Sequence, residues 1–196
     1  GNIYMVAAVN NASFISDVKL YKYTSAGAAV AGFPKNIYAT ANSDYPYDMK
    51  IDSANNLYVT LVNDNLAGVT VAYLRKLDSN GTALWTKSLQ PTSVNGFTAP
   101  NALAIDASDN IYVGGNTAGA YSGFTNAGFF DLFALKYNAT GTRLWTQQFG
   151  ASDDDLGFGI AVSSTGVYLV GGSYSDPNLL GDPGYGSADA FLAQLN

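Results

Sequence analysis

The chain has 196 residues, 47% hydrophobic and only 12% charged, enough to bury the core of one moderate domain and too apolar to stay disordered. With 15 acidic and 9 basic residues its formal charge is −6, which sets it against nucleic acid and anionic membrane surfaces as partners. Neither Cys nor His occurs, which removes thiolate nucleophiles, disulfides, imidazole acid–base chemistry and most transition-metal sites.

The first element in the chain is Asn2-Ile3-Tyr4-Met5, a short strand that reads like the middle of a repeat. Val18 to Tyr23 follows as a second strand. Residues 27–33 form a weaker third, with Phe33 where later repeats carry Trp. A new series then starts: Met49 to Asp52, Asn56 to Val59, Ala72 to Leu77 and Gly81 to Thr86. It returns as Leu103 to Asp106, Asn110 to Val113, Leu132 to Tyr137 and Gly141 to Thr146. The last turn of the pattern is Ile160 to Ser163, Gly166 to Leu169 and Ala190 to Leu195. The second-strand tyrosines stand at 4, 58, 112 and 168, a period of about 55 residues. Each segment is rich in Val, Ile, Tyr, Phe or Trp and bounded by Gly, Asn, Asp or Ser, and no sustained helical periodicity occurs.

Four strands per repeat is a β-propeller blade, with Trp and Tyr wedged between neighbouring blades. The fold expected is all-β, built of four-stranded antiparallel blades, about three and a half of them in this chain. We name the strands of a blade A to D, from the inner Ala-Ile-Asp type to the outer Leu-Trp-Thr type. Residues 1–196 then form a single propeller region, with partial blades at 1–47 and 156–196 and full blades at about 48–98 and 99–155. No apolar run reaches the ~20 residues of a membrane span, so no membrane insertion is expected. Lys19, Lys22, Lys76 and Lys136 recur in strand C and read as an outward-facing ladder.

The run Asp131-Leu132-Phe133-Ala134-Leu135-Lys136-Tyr137-Asn138-Ala139-Thr140-Gly141-Thr142-Arg143-Leu144-Trp145-Thr146 resembles the repeat of the SBBP ("seven-bladed β-propeller") family of bacterial and archaeal surface proteins. Ser187 to Leu195 resembles it too. The resemblance implies a secreted or surface-anchored propeller and supplies no catalytic residues to carry over. Three and a half blades do not close a seven-bladed ring, so the chain is expected to belong to a larger chain or assembly.

The A–B and C–D turns are tight, whereas the B–C and D–A connections are long and vary between blades, which places the long loops on one face. The partner-binding candidates there are Tyr45, Tyr47, Phe97, Tyr121, Phe124, Phe129, Tyr174 and Tyr185. Asp153-Asp154-Asp155, with Asp176 or Asp182, could offer oxygen ligands to Ca²⁺, although a run of acids more often forms a solvated turn. No other cofactor is expected. All fifteen acids are Asp, most of them in turn positions. These features lead to the expectation of a non-catalytic, secreted or cell-surface propeller that contacts protein, glycan or another copy of itself through its long-loop face. The alternative is an Asp-based hydrolase or lyase. It would show carboxylates converging near the axis, with at least one shifted pKa.

Overall fold

A computed structural model of the chain describes residues 1–64, 70–93, 96–174 and 188–195. Among these residues are fourteen strands in four antiparallel sheets of three, four, four and three strands. The first sheet is β1 (Ile3–Asn10), β2 (Ser16–Tyr23) and β3 (Lys35–Tyr38). The second is β4 (Ser43–Ile51), β5 (Leu57–Asp64), β6 (Thr70–Leu77) and β7 (Ala83–Ser88). The third is β8 (Thr98–Ile105), β9 (Ile111–Thr117), β10 (Asp131–Tyr137) and β11 (Arg143–Phe149). The fourth is β12 (Asp155–Ser163), β13 (Gly166–Ser173) and β14 (Asp189–Leu195). Each sheet is a meander in chain order, and this is the expected architecture of propeller blades.

The tight turns form for local reasons. Asp52 Oδ1 accepts the amides of Ala54 and Asn56 at 3.0 and 2.7 Å, and Asp106 Oδ1 those of Ser108 and Asn110 at 2.9 Å. Asp78 and Asn138 do the same in the C–D turns. An Asx side chain thus closes each of these four turns, and Asn55, Asp109, Gly81 and Gly141 take the positive φ it needs.

Apolar side chains fill the spaces between sheets. Val18, Leu20 and Ile37 of the first blade pack on Leu57, Val59 and Leu77 of the second. Tyr58, Leu74 and Val62 pack on Leu103, Ile111, Val113 and Phe133 of the third, and Tyr112 meets Val167 of the fourth. Trp85 and Trp145 are half-buried, their rings 5.7 and 6.0 Å from Tyr58 and Tyr112 at equivalent places.

Two expectations are corrected here. The outer strand of the first blade lies at Lys35–Tyr38 and not at 27–33, where Ala29 makes one isolated bridge to Tyr23. Gly32 turns the chain and Pro34 has no N–H for a ladder, so pairing starts only beyond them. Phe33 still packs between blades, beneath Lys22 and Lys35. Nor do Lys22 and Lys76 face outward; both are 8% exposed and run into the junction with the next blade. Their ammonium groups donate to Ser79 O at 2.8 Å and Ala139 O at 3.2 Å and lie over the rings of Tyr4 and Tyr58. A turn carbonyl and an aromatic face replace the water that each charge gives up.

Candidate functional site

A belt of buried polar side chains runs along the ends of the strands beneath the long loops. It holds Ser16, Asp17, Asp44, Asn63, Thr70, Thr98, Asn116, Thr117, Asp131, Asp155 and Ser173. Burial of so many polar groups is tolerable only when they are hydrogen-bonded, and here they are bonded both within and across blades. Ser16 N donates to Ser43 Oγ, Thr98 N to Thr70 Oγ1, and Asn101 Nδ2 to Asn116 Oδ1 and Gly157 O.

Within the belt, carboxylates meet in pairs at blade junctions. Asp17, five residues before the strand-C lysine of the first blade, lies within electrostatic reach of Asp44, eight residues before Asp52 in the second. Asp131 and Asp155 hold the same two positions at the junction of the third and fourth blades and are coupled in the same way. The junction between them has Val71 and Thr98 at those positions and carries no charge there.

Burial, with the Asp17 charge adding to it, pushes the Asp44 carboxyl above its ordinary 3.8, against the opposing bonds from Asn63 and Thr40. Asp131 is raised in the same sense by burial and by Asp155, against bonds from Gln148 and Ala127. Asp44 accepts Thr40 N at 2.9 Å and Asn63 Nδ2 at 2.7 Å. Asp131 accepts Ala127 N at 3.1 Å and Gln148 Nε2 at 3.0 Å. Asp155 accepts Ala151 N with one oxygen, while its other, Oδ1, is buried without a hydrogen-bond partner. In all three, the amide four residues upstream closes the loop onto the carboxylate. The carboxylates that shape these loops thus include the two, Asp44 and Asp131, whose carboxyls are raised by burial and by a neighbouring charge.

Each inner strand is bulged just beyond its belt position: at Pro46/Asp48 in β4, Ala99/Ala102 in β8 and Gly157/Gly159 in β12. A bulge re-aims the extra side chain, a device frequent beside active sites. The extra residues include Tyr47, 39% exposed, and Phe158, 59% exposed, and Tyr45 is also 39% exposed on the same strand as Tyr47. Burial and the Asp64 carboxylate raise the Tyr47 hydroxyl above its ordinary value.

The aromatic candidates separate into two groups. Tyr45 and Tyr47 lie in β4, not in a loop, beside Asp44 and Asp48, and Phe129 and Tyr174 are well exposed. Tyr121 is buried and donates its hydroxyl to Leu89 O, Phe124 packs on the same core, and Phe97 meets Phe130 edge-on at 6.1 Å. These three pack inward, against the core or against a neighbouring connection. Tyr185, Asp176 and Asp182 lie outside the described residues. Of the acidic run, Asp155 opens β12 from inside the belt and Asp153 is exposed, so the three acids do not face one way. Among the described residues no three carboxylates gather as a metal site.

Sequence reasoning passed over Asp17, Asp44 and Asp131 as turn residues. A signal was present: Asp17, Asp131 and Asp189 each stand five residues before the Lys or Gln of strand C.

No family model matches the sequence, the SBBP repeat included, and no curated protein is similar to it. Among solved structures, a thermostable family-43 glycoside hydrolase matches the whole of this chain and 68% of its own, at 10% identity and a TM-score of 0.54. A protein of unknown function from Bacteroides caccae matches 86% of this chain and 52% of its own, at 13% identity and a TM-score of 0.48. The first likeness shows the fold, an all-β propeller. The expectation of a non-catalytic propeller is corrected with it: the solved structure that covers the whole of this chain is that of a hydrolase, so the fold gives no ground for setting catalysis aside and favours the Asp-based alternative. The physical reason lies in the belt. Lack of His, Cys and Glu removes several chemistries but leaves paired Asp carboxyls, and burial shifts one of each pair.

Proposed function

We propose that the protein is an Asp-based hydrolase of glycosidic bonds, worked by Asp44 and Asp17. The observation that carries this reading is the pair itself: two carboxyls across one blade junction, one raised by burial and by its neighbour's charge. Glycoside hydrolysis needs that division, a protonated acid for the leaving oxygen and an ionised partner for the sugar or its attacking water. Asp44 takes the first role and Asp17 the second. Tyr45 and Tyr47 follow Asp44 in β4 with part-exposed rings, suited to the apolar face of a sugar. Asp44 itself is buried, and the Thr40–Asn42 turn bonds it through the amide and hydroxyl of Thr40. Asp131 and Asp155 serve the fold, the first tied to its loop and to Gln148. The likeness to the family-43 glycoside hydrolase supports the reaction class. The SBBP-like repeats supply the scaffold in this reading, and their resemblance and the low surface charge support a secreted setting.

The test is hydrolysis of a panel of nitrophenyl glycosides by the purified chain. Asp44→Asn and Asp17→Asn should each lower kcat by ~100-fold or more, the range of a lost general acid or base, while Asp131→Asn keeps it. Folding of each variant is checked by circular dichroism. No turnover of any glycoside by the folded chain, or activity that survives Asp44→Asn, rejects the proposal.

A further inference from the structure

Three carboxylates of the belt close a loop through the amide four residues upstream, and Asp44 alone among them has a hydroxyl there as well. At Asp131 and Asp155 the upstream residues are Ala127 and Ala151, and the amide suffices. At Asp44 the residue is Thr40, whose amide donates to Oδ2 at 2.9 Å and whose hydroxyl lies 3.2 Å from Oδ1. Asn63, opposite Asp44 in the β4–β5 ladder, donates its side-chain amide to the same Oδ1 at 2.7 Å. Closing the loop does not require the hydroxyl, since alanine serves at the other two.

Donors and acceptors around the hydroxyl define its role. Thr40 Oγ1 accepts Asn63 Nδ2 at 2.6 Å and Asn42 N at 3.1 Å, which occupies both of its lone pairs. Its single proton then has two acceptors in reach, Asp44 Oδ1 at 3.2 Å and Asn42 O at 3.1 Å. On Asp44 itself, Oδ1 lies against two donors, whereas Oδ2 takes the Thr40 amide alone. A proton on Oδ1 would point at N–H donors or at a hydroxyl oxygen with no lone pair to spare. Oδ2 keeps one lone pair for it. Of the ionisable groups around Asp44, Asp17 of β2 and Tyr38 of β3 are coupled to it. Asp64, at the end of β5, acts on Tyr47, Lys50 is held by Asp48 at 2.8 Å, and β1 and β8 carry no charged side chain.

We propose that Thr40 and Asn63 are positioning residues that leave Oδ2 as the proton-bearing oxygen of Asp44, and that the Thr40 hydroxyl turns between Asn42 O and Asp44 Oδ1 as that proton returns and leaves. While Asp44 is neutral, the hydroxyl donates to Asn42 O. When Oδ2 gives up its proton, negative charge spreads onto Oδ1 and the hydroxyl turns to it, because a hydrogen bond to an ion is the stronger one. The catalytic meaning rests on the hydrolase reading. There the Oδ2 proton passes to the leaving glycosidic oxygen, which keeps the electron pair of the breaking C–O bond. Asp17, or water that gives its proton to Asp17, bonds the sugar carbon. The turning hydroxyl steadies the carboxylate that this step creates.

The experiment follows the Asp44 carboxyl carbon and the Asn42 carbonyl carbon by NMR while the purified chain is titrated with acid. In the parent, the Asn42 shift should follow the Asp44 midpoint, since that carbonyl gains the hydroxyl as Asp44 takes its proton. Thr40→Val keeps the amide and removes a donor to the ionised carboxylate. It should raise the Asp44 midpoint by ~1 pH unit and flatten the Asn42 response, and Thr40→Ser should restore both. On a glycoside that the parent hydrolyses, Thr40→Val should lower kcat ~10-fold with KM kept. An Asn42 shift that ignores Asp44 in the parent overturns the proposal, and needs no variant to be seen. So does an unmoved Asp44 midpoint or an unchanged kcat in folded Thr40→Val. A parent that hydrolyses no glycoside defeats the hydrolase reading alone, and the two titrations still decide the role of Thr40.

Discussion

Replacing Gly141 by Ala puts a methyl group where two neighbouring side chains already stand. The new Cβ would lie 2.6 Å from Lys87 Cε and 3.1 Å from Trp85 Cε2, on a backbone with φ of +80°. Gly27 supplies the control, since its φ is +81° in the first blade's C–D turn and nothing lies within 4 Å of its Cβ direction. The left-handed conformation costs a non-glycine residue ~1–2 kcal/mol, and the stiffer unfolded chain returns ~0.4–1 kcal/mol of that. Gly27→Ala should therefore lose about 1 kcal/mol. Gly141→Ala bears the same strain and adds overpacking of ~1–3 kcal/mol, for a total of about 2–4 kcal/mol. Lys87 can retreat at its flexible end, but the Trp85 ring is held against Tyr58 and cannot. Urea unfolding of both variants beside the parent measures the difference. Equal losses within ~0.5 kcal/mol, the usual scatter of a surface substitution, would mean that the turn does not bear on the neighbouring blade, and would refute the packing argument.

The pH dependence of stability should have two limbs. Asp44 and Asp131, raised by burial and a neighbouring carboxylate, hold their protons more tightly folded than unfolded, so stability grows as pH falls from neutral through their raised values and levels off below the ordinary 3.8. Asp52 and Asp106, where bonds from Asn56 and Asn110 outweigh burial, and Asp78, held by its turn amides, are lowered; their contribution is present above 3.8 and lost as pH falls through their lowered values. Urea midpoints should peak on the acid side of neutrality, and Asp44→Asn should flatten the rise; a steady decline from pH 7 downward rejects the assignment. Lys76→Met removes the bond to Ala139 O and the 3.4 Å ion pair with Asp52, whose side chain is 2% exposed. It should cost ~2–4 kcal/mol and raise the Asp52 titration seen by carboxyl-carbon NMR; parent-like stability with an unmoved titration contradicts that role.

What the sequence determined by itself was local. Fourteen strands, their meander and the Asx turns between them were legible because strand alternation and a turn-closing Asp or Asn act over two to four residues, as in Asp52 with Asn56. Legibility failed in the first blade, where Gly32 and Pro34 moved the outer strand to Lys35 although the repeat pointed upstream. The site was not legible, because its chemistry belongs to neither partner alone. Asp17 and Asp44 fell among the Asp residues read as turn positions, and only the packing of one blade on the next brings both carboxyls out of water and within reach of each other. Lys22 and Lys76 show the same limit, for the carbonyls that draw them inward lie 57 and 63 residues away. Tyr121, by sequence a loop aromatic free to bind, became a core residue through Leu89, 32 residues before it. Alternation states which residues share a face; the neighbouring blade decides whether that face meets solvent, and therefore which charges are shifted.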